Sequence, residues 1–279
     1  MANINLYATL AEYKAYSTAR GQTASTDATD DGAVVDLLEA ASRYLDNKTR
    51  RQFFPTIETR LYDIPNDSIL LLEQDLLAVI TLTNGDATTI TTANYNLMPA
   101  NTSPYYAIRL NDISTVAWEA NSSGSGQQVI SVNAWWGYRE QYAQRAWQLA
   151  GTLGAAITDT TTLAFTMTAG HTLTAGQIIK IGSEIYNIST VSTNTITPIA
   201  RGDNGSTAAT HINGTSVYTW KPQEDARAAV LEIANTAYQR RFGKSTDASA
   251  QVTAAGVVLT PRDIPRMAEE FIAIYRRWV

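Results

Sequence analysis

The sequence predicts an α+β protein: a helical bundle with an antiparallel β-sheet or hairpin region, interrupted by a small all-β insert of barrel or sandwich type. Three observations carry that expectation. Apolar residues recur at helical spacing near both ends of the chain, they alternate with period two between about residues 57 and 138, and charge density collapses across 151–219. Those 69 residues hold only Asp159, Lys180, Glu184, Arg201 and Asp203 as charged groups, about 7% against about 20% elsewhere, yet carry 17 of the chain's 37 threonines. A composition break of that size marks a domain boundary. The expected organisation is a core in two parts, 1–150 and 220–279, around an inserted all-β domain at 151–219.

Taken in order, Leu6, Leu10 and Tyr13 place a short amphipathic helix over Leu6–Tyr16, followed by a polar loop at 20–30. Asp30 or Asp31 can cap the next helix, whose Val34, Leu37, Leu38, Ala41 and Leu45 share one face. It ends in Lys48, Arg50 and Arg51, and Phe53-Phe54-Pro55 breaks it. From Ile57 the period is two, and Leu70–Leu72 and Leu76–Leu82 follow as strands. Asn84-Gly85 is a hairpin signal, and Tyr95, Leu97 and Tyr105–Leu110 continue the strands. In Val129–Tyr138, Ile130, Val132, Ala134, Trp136 and Tyr138 share a face, which puts Trp136 in the core. Trp135 falls on the opposite face, either as an exposed aromatic or as an interface anchor.

Within the insert, Leu163–Met167, Gln177–Ile181, Glu184–Val191, Thr195–Ile199 and Ser216–Trp220 are short β-branched runs separated by turns. Helical spacing resumes after Pro222 through Ala226, Val230, Ile233, Ala237 and Tyr238. Pro261 is expected to open the last helix. That helix carries two adjacent apolar stripes, Ile264/Met267/Phe271/Ile274/Trp278 and Ala268/Ile272/Tyr275/Val279. Two stripes demand two buried sides, supplied by its own domain or by a neighbour.

The chain has 279 residues, 44% of them hydrophobic, and a net charge of −5. An acidic balance argues against a protein built to wrap nucleic acid. With no Cys, thiolate chemistry, disulfides and thiolate zinc sites are excluded, and His171 and His211 stand too far apart in sequence to suggest a metal site. The N-terminus lacks the pattern of a secretory signal, and no run approaches the 18 apolar residues of a membrane span. Phosphate-loop, nucleophile-elbow and metalloprotease motifs are missing. Adjacent carboxylates such as Asp30-Asp31 and Glu269-Glu270 diverge on a helix and cannot flank one bond. The basic clusters Lys48/Arg50/Arg51, Arg240/Arg241/Lys244 and Arg276/Arg277 end helices, where cations complement the dipole. No catalytic residue, cofactor or metal is therefore expected, and the residues favour an assembly or binding protein over an enzyme.

The order of segments resembles the head–tail adaptor (connector, or head-completion) proteins of tailed bacteriophages. The similarity rests on Val35–Phe53, Thr59–Asp63, Leu70–Val79, Asn94–Pro99, Tyr105–Leu110, Val132–Tyr138, the helix ending Tyr238-Gln239-Arg240-Arg241, and Tyr275–Trp278. The insert departs from that family, and its Gly176–Glu184 and Arg201-Gly202…His211…Gly214 pattern looks like small β modules of phage tail and baseplate proteins. The resemblance implies a ring of identical copies, twelve in the usual member, fixed beneath the portal and contacting a tail or stopper protein. DNA would pass through the channel without sequence-specific binding, with no membrane involved. The expected location is the neck of a virion assembled in the host cytoplasm. The family's C-terminal segment engages the portal, which makes Phe271, Ile274, Tyr275, Arg276, Arg277 and Trp278 the docking candidates. Twelve acidic subunits would also give the channel a wall that repels phosphate. Two other classes of function stand beside this one: a tail-completion or baseplate component, and a virion carbohydrate-binding module carried by the insert.

Overall fold

A computed structural model describes residues 4–21, 28–242, 251–252, 258–259 and 264–277. Two antiparallel sheets dominate them, joined by a layer of four helices: α1 (Leu10–Ala19), α2 (Asp31–Thr49), α3 (Glu224–Phe242) and α4 (Arg266–Tyr275). The expected helical bundle with a small β insert is thereby overturned, because eleven strands in two sheets outweigh the helices. The physical reason lies in residues 56–152. Their period-two runs pair over long range into a five-stranded sheet, and Trp147–Thr152 extends the second sheet.

The first sheet has the order β1-β5-β2-β4-β3, from β1 (Thr56–Tyr62), β2 (Ile69–Thr83), β3 (Tyr95–Met98), β4 (Tyr105–Leu110) and β5 (Ile130–Trp136). Strand β2 does what two separate strands were expected to do. Its first part pairs with β4 (Leu70 opposite Ile108) and its second with β5 (Leu82 opposite Val132), with register shifts that bend it between the two. Its apolar face meets Tyr62, Ile108, Ile130, Val132 and Trp136 in one core, as alternation in β5 predicts. The Asn84-Gly85 turn forms, but the returning chain makes only an isolated bridge, Thr83 to Thr89, rather than a hairpin strand.

The second sheet comprises β6 (Trp147–Thr152), β7 (Phe165–Thr166), β8 (Ile178–Ile181), β9 (Glu184–Ser192), β10 (Thr195–Pro198) and β11 (Ser216–Trp220), in the order β6-β11-β8-β9-β10-β7. Leu153 bridges Met167, so the two ends of the sheet meet and enclose Ile179, Ile181, Tyr186, Ile188 and Ile196. The sheets are cemented by Leu77, Ile178, Ile185 and Trp220, with Trp135 and Trp147 at the margin. Gly205, at φ +77°, reaches the first sheet so closely that a Cβ would stand 2.0 Å from the Ile57 carbonyl oxygen. Only glycine permits that approach.

The helices pack on one another around Leu38, Leu45, Val230 and Phe271, with Tyr7 and Phe53 contributed from outside them. Helix α1 starts at Leu10 rather than Leu6, because Thr9 and Glu12 form a reciprocal capping box. Asp30 occupies the N-cap of α2 without capping it, and instead accepts from the Tyr238 hydroxyl at 2.6 Å. A third, two-stranded unit pairs β12 (Gln251–Val252) with β13 (Val258–Leu259). Pro261, Lys244, Trp278, Val279 and most of the expected 20–30 and 244–260 loops lie outside the described residues.

Candidate docking site at the C-terminal helix

Helix α4 buries Ala268, Phe271 and Tyr275. Their spacing of three and four residues is that of one helical face. The rings of Phe271 and Tyr275 lie 4.5 Å apart, and Phe53 and Tyr138 complete an aromatic cluster with centroid separations of 5.3 and 5.4 Å to Phe271 and Tyr275 respectively. The Tyr275 hydroxyl donates to Asp225 at 3.0 Å and accepts from Gln223 at 3.3 Å, and burial pushes its pKa up to about 12. Two of the docking candidates, Phe271 and Tyr275, are therefore held inside the subunit.

The chain leaving α4 is clamped. Arg51, just beyond α2, donates from Nε to the Tyr275 carbonyl at 2.6 Å, pairs through Nη1 with Asp75 at 2.5 Å, and lies 4.6 Å from the Tyr138 ring centroid. The Arg277 amide donates to the Thr49 carbonyl at 2.8 Å, and its guanidinium donates to the Leu72 carbonyl at 2.6 Å and stands 3.6 Å from Asp75. Burial pushes the Asp75 carboxyl up, against the pull of Arg51 and Arg277. Asp75 Oδ2 and Arg277 Nη1 are buried without a hydrogen-bond partner. This clamp borders an open groove of about 1110 Å³, also lined by Leu71, Tyr106 and Tyr138. Leu71 is 68% exposed and Tyr106 is 49% exposed.

Ile274 projects from α4 at 75% exposure and Met267 at 43%, seven residues apart and so on one side of the helix. Arg276 is exposed as well, and Trp278 lies outside the described residues. Each sequence stripe is thus split: Phe271 of the first and Ala268 and Tyr275 of the second face the interior, while Met267 and Ile274 of the first are exposed. Trp135, by contrast, is half-buried at the junction of the sheets, edge-on to Trp147 at 6.0 Å. The Lys180 ammonium stands 5.8 Å from its ring centroid and 4.7 Å from that of Trp147, and burial lowers the pKa of Lys180.

A second polar centre escaped the sequence reasoning. Glu184 is fully buried at the start of β9 and receives Arg201 Nε at 2.8 Å, Arg201 Nη2 at 3.1 Å, the Gly202 and Ala209 amides, and His211 Nε2 at 3.0 Å. Arg201 also donates to the carbonyls of Asp159, Thr162 and Ala209, which satisfies its whole fork. Burial alone would raise the Glu184 pKa, but these donors hold it down at about 2. The only signal for this hub was the Glu184, Arg201 and His211 pattern that resembles tail modules. His171 has a separate local role, with its Nε2 2.9 Å from the Thr193 carbonyl.

Among the described residues no group of three or more acidic or histidine side chains could hold a metal ion, and no helix is long and apolar enough to cross a membrane. No protein-family model, curated protein or solved structure matches the chain.

Proposed function

We propose that this chain is a structural virion protein that forms a ring adaptor between the portal and the tail of a tailed bacteriophage and continues its DNA channel. The observation that carries this reading is the split character of α4. One side is locked into the subunit by an aromatic cluster, while Met267 and Ile274 beside it are exposed. The Arg51–Asp75–Arg277 clamp supports it by fixing where the chain emerges after α4. A fixed helix with an uncovered apolar stripe is an interaction surface, since the ordering cost of presenting it has already been met on folding. The resemblance in segment order supplies the partner: a portal subunit.

The test is to mix the purified chain with portal rings and examine the product by native mass measurement and electron microscopy. A closed ring seated on the portal is expected, and removal of residues 273–279 should prevent its attachment. Attachment that survives this truncation, or a chain that stays monomeric with portal present, refutes the adaptor reading.

A further inference from the structure

Strand β2 has one side that is only partly used. Toward β4 its pairing stops at Leu76, opposite Tyr105, and resumes only where Leu82 accepts from the Ile90 amide and Thr83 bridges Thr89. No described strand pairs with that side across residues 77–81, about 16 Å of strand at 3.3 Å per residue. Strand β3 is an edge strand of the same sheet. Both border one open cleft of about 890 Å³, lined by Leu77, Ala78 and Val79 from β2 and by Tyr95, Asn96 and Leu97 from β3. Gln141 and Gln144 flank it on a single π-helical turn that Gln141 enters with φ +52°. Such turns and left-handed non-glycine residues concentrate at functional positions. None of the residues lining the cleft carries a charge. A bare strand edge walled by neutral amides and aromatic rings is a receptor for an extended neutral segment, joined by main-chain hydrogen bonds.

The same chain contains such a segment. Residues 248–261, Ala-Ser-Ala-Gln-Val-Thr-Ala-Ala-Gly-Val-Val-Leu-Thr-Pro, carry no charge and are rich in β-branched residues. Within them β12 and β13 pair with each other and with no other described strand, and two strands paired only with each other are at best marginally stable in water. We propose that the β12–β13 pair of one copy adds to the open side of β2 in a second copy and fills the cleft beside β3. A donor and an acceptor on different parts of one surface make a head-to-tail contact, the kind that closes rings of identical subunits. The proposal rests on the ring reading above and supplies its subunit-to-subunit contact.

Amide hydrogen exchange on assembled and monomeric wild-type chain tests it. Exchange across 77–81 should slow at least tenfold on assembly. Replacing 248–261 by a glycine–serine segment of equal length should abolish both the slowing and the assembly. Because the chain has no Cys, a mixture of A78C and Q251C chains under mild oxidation should also yield disulfide-linked dimers. Slow exchange at 77–81 in the wild-type monomer would overturn the second-copy contact in favour of the chain's own β12–β13 segment, and slow exchange that persists in the monomer carrying the replacement would overturn the contact altogether. Assembly with free exchange at 77–81 would overturn the β12–β13 contact alone. A chain that never assembles overturns the ring reading and this contact together.

Discussion

Two buried carboxylates, each met by arginine, serve opposite ends in the two halves of this molecule. In the second sheet Glu184 accepts five hydrogen bonds and Arg201 spends every N–H, so the centre is closed to anything else. Beside α4, Asp75 meets Arg51 and Arg277 but keeps Oδ2 unsatisfied, leaves Arg277 Nη1 without a partner, and opens onto a groove. The chemistry is the same and the degree of completion differs. A completed network fixes a fold, whereas an incomplete buried one leaves a desolvation cost unmet and holds its segment less firmly. The difference in pKa follows from the same count: ample donors depress Glu184 to about 2, while too few leave burial in control of Asp75.

Breaking the closed centre should cost most. Glu184→Gln leaves the Arg201 guanidinium buried without its counter-charge, and such removals cost about 3–5 kcal/mol. Chemical denaturation should show that loss, with the tryptophans at the sheet junction reporting it by fluorescence. A loss below about 1 kcal/mol would mean that the hub is not what holds the second sheet closed.

Acid offers the same comparison without mutation. Glu184 has its pKa depressed on folding, so the stability it contributes is fully present above its unfolded value near 4.5 and drains away as pH falls toward 2. The shift corresponds to about 3 kcal/mol. Asp46, which accepts from Tyr7, runs the other way: burial raises it to about 6, so its contribution weakens as pH rises from about 4 through 6. Denaturation midpoints for wild type should therefore fall steeply below pH 4.5, and Glu184→Gln should flatten that limb. Parallel curves for the two proteins would locate the acid sensitivity elsewhere.

Asp75→Asn should cost less, about 1–2 kcal/mol, because Arg51 and Arg277 retain the Tyr275 and Leu72 carbonyls as acceptors. Its clearer effect is local. With the central charge gone, trypsin should cleave after Arg277 faster than in wild type while global unfolding changes little. Unaltered cleavage would show that the two carbonyl contacts suffice to hold the segment.

The sequence announced these regions unequally. Strand Ile130–Trp136 follows from alternation because it has one buried face. Strand β6 did not, since Gln148, Leu149 and Gly151 lack both alternation and β-branching, and its pairing with β11 is a tertiary fact. The continuity of β2 was hidden by Glu73-Gln74-Asp75, which interrupts an apolar run at the point where the strand bends and where Asp75 turns inward to Arg51. Neither polar centre is local: Arg51 and Tyr275 are 224 positions apart, Glu184 and His211 27. The apolar residues of α4 were visible in their spacing, but which members of the two stripes are buried depends on Phe53 and Tyr138, contributed by other parts of the chain.

That last point yields the test with the smallest effect on the fold and the largest on assembly. Ile274 is 75% exposed, so Ile274→Glu removes little buried surface and should change stability by less than about 0.5 kcal/mol. A charge there would nevertheless have to be desolvated when α4 meets a partner, which an apolar interface does not tolerate. Phe271→Ala should behave in reverse: its buried ring contacts Phe53 and Tyr275, and its loss should destabilise the subunit by about 3–5 kcal/mol. Attachment to the portal should therefore fail for Ile274→Glu in a fully folded chain, and fail for Phe271→Ala only as folding fails. If the exposed-side variant still attaches with wild-type affinity, the stripe is an ordinary surface and the partner must be sought at the groove beside Asp75.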